Sequence, residues 1–407
     1  ITNQLLFVFT LGIFGALAGA GIYCSQYYGK GDMKKVQTVF RYKLWIAIVL
    51  TAASIALYWL CRYPLINLFL TDTGNGMDIN ATLGYGVEYL RIMLIGLVPF
   101  AAGQIYATTM RETDETRIPM VAGAAAVLTN LVLNYILIFG HLGAPRMGVA
   151  GAAWATVISR FVEFGILMVY ATVAHAKLPY FKGIYRTLMV PADLFKAITI
   201  KSIPLLFNEL LWSVGMTVLA QCYSTRGLDA VAAYNICSTV SNFFSMMTFS
   251  MGTTIAIMVG QELGAGRFEQ AIDFDRKLIV IGVIMGVVVT IFLGGAAFVF
   301  PLIYNTTEEV KHLATGLLIF DALFLTARGL YNNAYFTLRS GGKTFITFLF
   351  DSGSMWAILI PTTFLLTRLT AMTLIQIYIT VQFLDGIKGV VGVWLVKKRI
   401  WVNNLTV

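Results

Sequence analysis

Long apolar runs that recur along nearly the whole chain constrain this sequence more than any other feature. A helix crossing the ~30 Å hydrocarbon core of a bilayer needs roughly 20 mostly apolar residues and satisfies its own backbone polar groups where water is absent. Eleven such segments lie at roughly 1–28, 42–61, 83–110, 119–140, 148–175, 202–225, 229–260, 278–303, 311–338, 345–367 and 371–396. Outer-membrane barrel strands are about half as long and alternate polar with apolar residues, so they do not fit. Composition agrees, at 58% hydrophobic, 12% charged and mean hydropathy +0.78, where soluble domains run nearer ~45–50% and ~25%. The expected fold class is an all-α membrane protein made of two pseudo-symmetric helix bundles.

The net charge of +9 does not indicate nucleic acid, because Lys and Arg sit in short connections between apolar runs instead of clustering on one wet face. Alternate connections differ in basic content. Lys30, Lys34, Lys35, Arg41, Lys43, Lys177, Lys182, Arg186, Lys196, Arg276, Lys277 and Lys397 to Arg399 fall on one side, and only a few such as Arg62, Arg146 and Lys311 on the other. The positive-inside rule makes the richer side cytoplasmic, which puts the C-terminus inside and residue 1 outside. A plasma (inner) membrane location follows. The chain starts at Ile1 without a signal sequence. It is therefore expected to lack one preceding helix of twelve. The longest polar connection, near 176–200, divides an N-terminal bundle (1–175) from a C-terminal one (201–396), followed by a tail (397–407). Cys24, Cys61, Cys222 and Cys237 lack CxxC spacing, so core thiols are expected and a metal site is not.

An internal repeat links the halves. Gln26-Tyr-Tyr-Gly29-Lys-Gly31 followed by Arg41 matches Gln261-Glu-Leu-Gly264-Ala-Gly266 followed by Arg276, at an offset of 235. Arg111, Thr116 and Ile118 are echoed by Arg339, Thr344 and Ile346, at an offset of 228. With the sixth N-terminal helix restored, both halves begin and end on one side of the membrane. The repeats are then parallel, and a cavity between them is expected.

These loops also carry a likeness to known proteins. AGIYCSQYYGKGD resembles the Gln-x-x-Gly-x-Gly loop after the second helix of multidrug and toxic compound extrusion (MATE) transporters. MRETDETRIPM resembles that family's Arg-x-x-Gly-Asp-x-x-x-Pro element, with Thr113 in place of the usual Gly, and GVAGAAWATVISR and GLDAVAAYNI resemble the starts of its sixth and eighth helices. The resemblance spans nearly the whole chain. It implies a secondary antiporter, not an enzyme, that exports drugs in exchange for Na⁺ or H⁺.

Charged residues inside the apolar segments are the candidate site, since burying an ion in hydrocarbon costs about 2.5–3.5 kcal/mol even on insertion scales. Arg160 with Glu163, Asp385 with Lys388 and Glu88 with Arg91 are spaced to pair along one helix face. Glu209, Asp321 and Asp351 have no cation three or four residues away. Each is then expected to face a cavity, a partner on another helix or a bound ion, or to hold a proton, and all three are read as cation-coupling candidates. The resemblance implies the same for Glu209 and Asp321, which match acidic positions in the seventh and tenth helices; the family's other acidic site lies in the helix expected to be missing. Pro204 loosens the helix just before Glu209. Asn208, Trp212, Phe324 and Asn332 are candidate substrate-cavity residues, the aromatics through cation–π contact with flat cations. Gln104, Asn130, Asn134 and Asn333 are equally suited to be interhelical glue. His141, His175 and His312 fall at segment ends, so a histidine relay is not indicated.

The function expected is efflux of cationic or amphipathic compounds by alternating access. Expected partners are small-molecule substrates and the bilayer, with no nucleic acid and a monomeric chain; no cofactor is expected beyond Na⁺ or H⁺ as coupling ion. The alternatives are a lipid-linked sugar flippase of related architecture, which would need Arg and Lys in its cavity, and an inactive partial chain.

Overall fold

Each apolar segment forms a helix, because in hydrocarbon only a helix pairs all of its own N–H and C=O groups. The computed structural model describes residues 2–67, 79–174 and 178–406, so Ile1, His175 and Lys177 lie outside the described residues. The helices are α1 (Thr2–Lys30), α2 (Met33–Leu60), the short α3 (Arg62–Asn67), α4 (Ile79–Glu112), α5 (Arg117–Phe139), α6 (Val149–Val173) and α7 (Ala192–Ser224). Then follow α8 (Leu228–Gly264), α9 (Phe268–Ile303), α10 (Glu308–Ser340), α11 (Thr344–Leu369) and α12 (Leu374–Lys397). Among the described residues eleven of these, all but α3, are long and apolar enough to span a membrane, and no strand occurs.

The helices α2, α7 and α9 begin well before the apolar segments at 42, 202 and 278. Their first turns carry Lys34, Lys35 and Arg41, Lys196 and Lys201, and Arg276 and Lys277. Charge keeps these turns out of hydrocarbon without breaking the helix. The side chain of Asp32 caps α2 by accepting from the Lys35 N–H at 3.0 Å.

The chain divides into two compact units, residues 1–24 with 32–202, and residues 25–31 with 203–407. This differs from the division at 176–200. The expected linker belongs to the first unit because Tyr180, Phe181, Leu194 and Ile198 are buried there. In that unit α6 packs on α4 and α5, and α2 on α4. Lys43, counted above as a loop charge, is instead wholly enclosed. Its Nζ donates to Glu112 Oε2 at 2.5 Å and to the Thr108 and Thr109 hydroxyls at 3.2 and 3.1 Å.

In the second unit α10 is central, packing on α8, α9 and α12 around Leu293, Leu317, Leu318, Leu325 and Ile377. The two copies of the Gln-x-x-Gly repeat meet there. A Cβ on Gly29 would overlap the Gln261 carbonyl, and a Cβ on Gly264 would overlap the Gln26 carbonyl. The contact is reciprocal, backbone against backbone, as small-residue crossings allow. Gly31 and Gly266 then end their loops at φ +82° and +75°, where a side chain would be strained. Of the stretch 397–407, expected as a tail, the described residues to 406 fold onto this crossing. Trp401 is buried against Val259, Leu263 and Leu338, and the buried Gln26 amide donates to the Ser340 and Asn403 carbonyls and accepts from the Leu405 N–H at 2.7 Å.

Gly29→Ala and Gly264→Ala are each expected to destabilise the protein by about 1–3 kcal/mol or more through overpacking. Gly12→Ala, where nothing lies within 4 Å of the added methyl, should be neutral or stabilise by up to ~1 kcal/mol. Thermal unfolding of the three variants in detergent checks the contrast.

Candidate functional site

The charges buried in the second unit form the candidate site, and α10 and α12 supply most of them. Asp321 is 1% exposed. It is not without a cation on its own helix, as the sequence reading held: Arg328 lies seven residues on and its Nη2 donates to Asp321 Oδ1 at 2.6 Å. Two turns of helix bring position i+7 back to within ~20° of i. A long side chain leaning toward the helix N-terminus covers the rest. From α12 the Tyr378 hydroxyl and Gln382 Nε2 also donate to Oδ1, both at 2.7 Å. The Ser241 hydroxyl of α8 approaches the carboxylate, yet the buried Oδ2 has no hydrogen bond of normal geometry.

Asp351 lies where α11 widens into two successive π turns, Leu349–Gly353 and Met355–Leu359. Such turns are rare and tend to occur at functional positions. Asn208 of α7 pins this region: its Nδ2 donates to Asp351 Oδ2 at 2.9 Å, and its Oδ1 accepts from the Ser352 N–H at 3.2 Å. The Ser352 hydroxyl donates to the Asn208 carbonyl at 2.9 Å. Lys388 of α12 sits 2.8 Å from Asp385, the pair expected from their spacing, but 3.9 Å from Asp351. The ammonium is thus committed to Asp385 and reaches Asp351 weakly.

Glu209 follows Asn208 on α7 and is half-buried. Among the described residues it makes no hydrogen bond or ion pair. The charges whose fields reach it are Arg339 and Asp351, and Tyr335 is within reach of both Arg339 and Asn208. Glu209 is therefore grouped with Asp351, while Asp321 stands apart with Arg328. Arg328 is bonded to Asp321 and Lys388 to Asp385, while the buried Asp275 of α9 accepts from the Thr337 hydroxyl of α10. Glu209 and Asp351 are left without a cation bonded to either of them.

The remaining candidates divide. Asn208 is buried and fully engaged in tying α7 to α11. Trp212 packs against the core of this unit, and the Phe324 ring lies beside Gly386 of α12. Asn332 is half-buried. The neighbouring Asn333 is buried with both amide atoms unpartnered, as is Gln104 Oε1 in the first unit. Asn130 donates to Thr156 of α6, the interhelical glue expected, whereas Asn134 donates to Asn130 within α5 itself. Arg160 pairs with Glu163 at 3.0 Å. The exposed Glu88 forms no such pair among the described residues; Arg91 instead lies 5.9 Å over the Trp59 ring. Of the histidines, His141 stacks on Tyr135 and His312 is exposed.

Three comparisons bear on this arrangement. A family model described as MatE matches residues 1–136 and 204–365. The chain is 27% identical over 388 residues to the "Probable multidrug resistance protein NorM" of Thermotoga maritima, covering 93% of this chain and 79% of that protein. It is 24% identical over 378 residues to the "Probable multidrug resistance protein YoeA" of Bacillus subtilis, covering 92% and 79%. Among solved structures, a MOP superfamily transporter from Pyrococcus furiosus, described as having a binding pocket of reverse polarity, superposes with a TM-score of 0.82 at 18% identity, covering 98% of this chain and 87% of that one. At that identity the likeness shows the fold alone.

Removing Arg328 leaves a carboxylate buried without its counter-ion, which costs about 3–5 kcal/mol, whereas removing both partners costs much less. Arg328→Gln is expected to be the more damaging change than the double variant Asp321→Asn/Arg328→Gln. A double-mutant cycle read by thermal unfolding measures the coupling.

Proposed function

We propose, given that this chain belongs to the MatE family of multi-pass membrane transporters, that it exports cationic or amphipathic compounds in exchange for Na⁺ or H⁺ by alternating access. Its similarity to proteins named for multidrug resistance makes it a multidrug efflux transporter and not an enzyme. Antiport, the coupling ion, action as a monomer and a cytoplasmic C-terminus belong to our reading.

The observation that carries this reading is the lack of a bonded cation at Glu209 and Asp351 in the second unit. Glu209 lacks a bonded partner and Asp351 holds only an amide and a distant ammonium. A monovalent cation or a proton bound between Glu209 and Asp351 supplies the missing partner. When it binds, the strain of an unpaired carboxylate in low dielectric is relieved; when it leaves, the cost returns. A change of conformation that differs in its affinity for that ion is thereby driven by the ion gradient. A single charge moving across 100 mV is worth ~2.3 kcal/mol, enough to sustain a substrate gradient. Asp321 contributes differently: its charge is already answered by Arg328, so it holds α10, α12 and α8 together instead of offering an open seat.

The flippase reading gains two membrane-depth cations, Arg328 and Lys388, that the spacing of acidic residues alone did not stress. Each is bonded to a carboxylate, at 2.6 and 2.8 Å, so neither is free to hold an anionic headgroup. Antiport of a cation is better supported.

Glu209→Gln with Asp351→Asn is expected to abolish ethidium efflux driven by an imposed Na⁺ or H⁺ gradient in proteoliposomes, with the protein still folded and inserted. Undiminished gradient-driven efflux from the double variant overturns the assignment.

A further inference from the structure

In the first unit a strap at 178–190 runs along α2, held by a ladder of side-chain donors one turn apart. Gln37 Nε2 donates to the Lys182 carbonyl at 3.1 Å, Arg41 Nε to that of Ile184 at 3.0 Å and Trp45 Nε1 to that of Leu188 at 3.0 Å. The strap's depth can therefore be read from α2. That helix has 28 residues, about 42 Å at 1.5 Å per residue, well over the ~30 Å of hydrocarbon. With Leu60 at one boundary, the other falls about 20 residues back, near Arg41. Lys182 is then in water, Ile184 at the boundary, and Leu188 and Met189 within the bilayer. Their exposure, 43% and 82%, adds to the apolar face that lipid covers at this depth.

Two grooves flank the strap. One, of about 490 Å³, is lined by Trp45, Ile46, Val49, Leu188, Met189 and Phe195. The other, of about 380 Å³, includes Phe181, Tyr185 and Arg186. Lys182 in water, and Arg186 and Lys196 with side chains long enough to reach the boundary, are exposed, and none of them pairs with a carboxylate among the described residues. Asp193 is the single acid between 178 and 200.

We infer that the strap and its grooves bind an anionic phospholipid, acyl chains along the grooves and phosphate against Lys182, Arg186 and Lys196. Apolar grooves alone would accept any lipid, and exposed cations alone any anion. Their junction at the membrane boundary selects a molecule that is both. The basic side on which the strap lies is the side that faces the anionic inner leaflet in the orientation proposed above.

The test is native mass spectrometry of the whole chain released from detergent, titrated with phosphatidylglycerol or with phosphatidylcholine of the same acyl chains. Each basic residue near a lipid surface contributes about fivefold in affinity. The wild type is expected to hold phosphatidylglycerol at least tenfold more tightly than phosphatidylcholine. Lys182→Gln/Arg186→Gln/Lys196→Gln should erase that preference without changing phosphatidylcholine binding; the three side chains are exposed, so an unchanged melting curve accompanies it. Leu188→Asn/Met189→Asn should weaken both lipids. Equal affinity for the two lipids in the wild type, or a triple variant that keeps the preference, overturns the proposal.

Discussion

A charge that cannot reach water must be answered from within the protein, and the second unit is organised around that requirement. Asp321 Oδ1 draws donors from α10 and α12 at once. Removing one member would strand the others in low dielectric, where an unpaired ion is far costlier than the pair is favourable. The arrangement therefore specifies how these helices pack more than it stabilises them. Lys43 and Glu112, with Thr108 and Thr109, apply the same rule in the first unit, joining α2 to α4.

Set against these closed pairs, the incompleteness at Glu209 and Asp351 has meaning. The π turns of α11 displace Asp351 from the regular helical register, and Asn208 holds that irregular stretch through three hydrogen bonds. An acid so positioned, next to another without a bonded partner, suits the coupling role proposed above better than a closed ion pair does. Rigid pairs and an open one thus lie side by side, and the contrast between them is what a coupled transporter needs.

Several of the ion pairs were legible beforehand. Arg160 with Glu163 and Asp385 with Lys388 could be read directly, since pairing three residues apart on a helix is a local event. The Asp321–Arg328 pair spans two turns, beyond the three- and four-residue spacing that marks a local pair, and position i+7 is its only sequence signal. Lys43 and Glu112 are 69 residues apart, and Lys43 stands at the start of an apolar segment, so its burial had no local mark. The π turns carry no residue signature either. As a result the grouping changed: Glu209 belongs with Asp351, and Asp321 with its own arginine.

The sequence by itself determined the class of solvent, the eleven spanning helices and the duplicated loops, because hydrophobic run length and repeat spacing are properties of a chain read along one dimension. It also marked the Gln-x-x-Gly copies as special without saying why. Only the tertiary structure decided that the two copies cross each other backbone to backbone, that 397–406 folds onto that crossing, and which buried acids are neutralised. Those outcomes depend on which helices become neighbours, and the counter-charge or carbonyl that meets a residue lies on a different part of the chain.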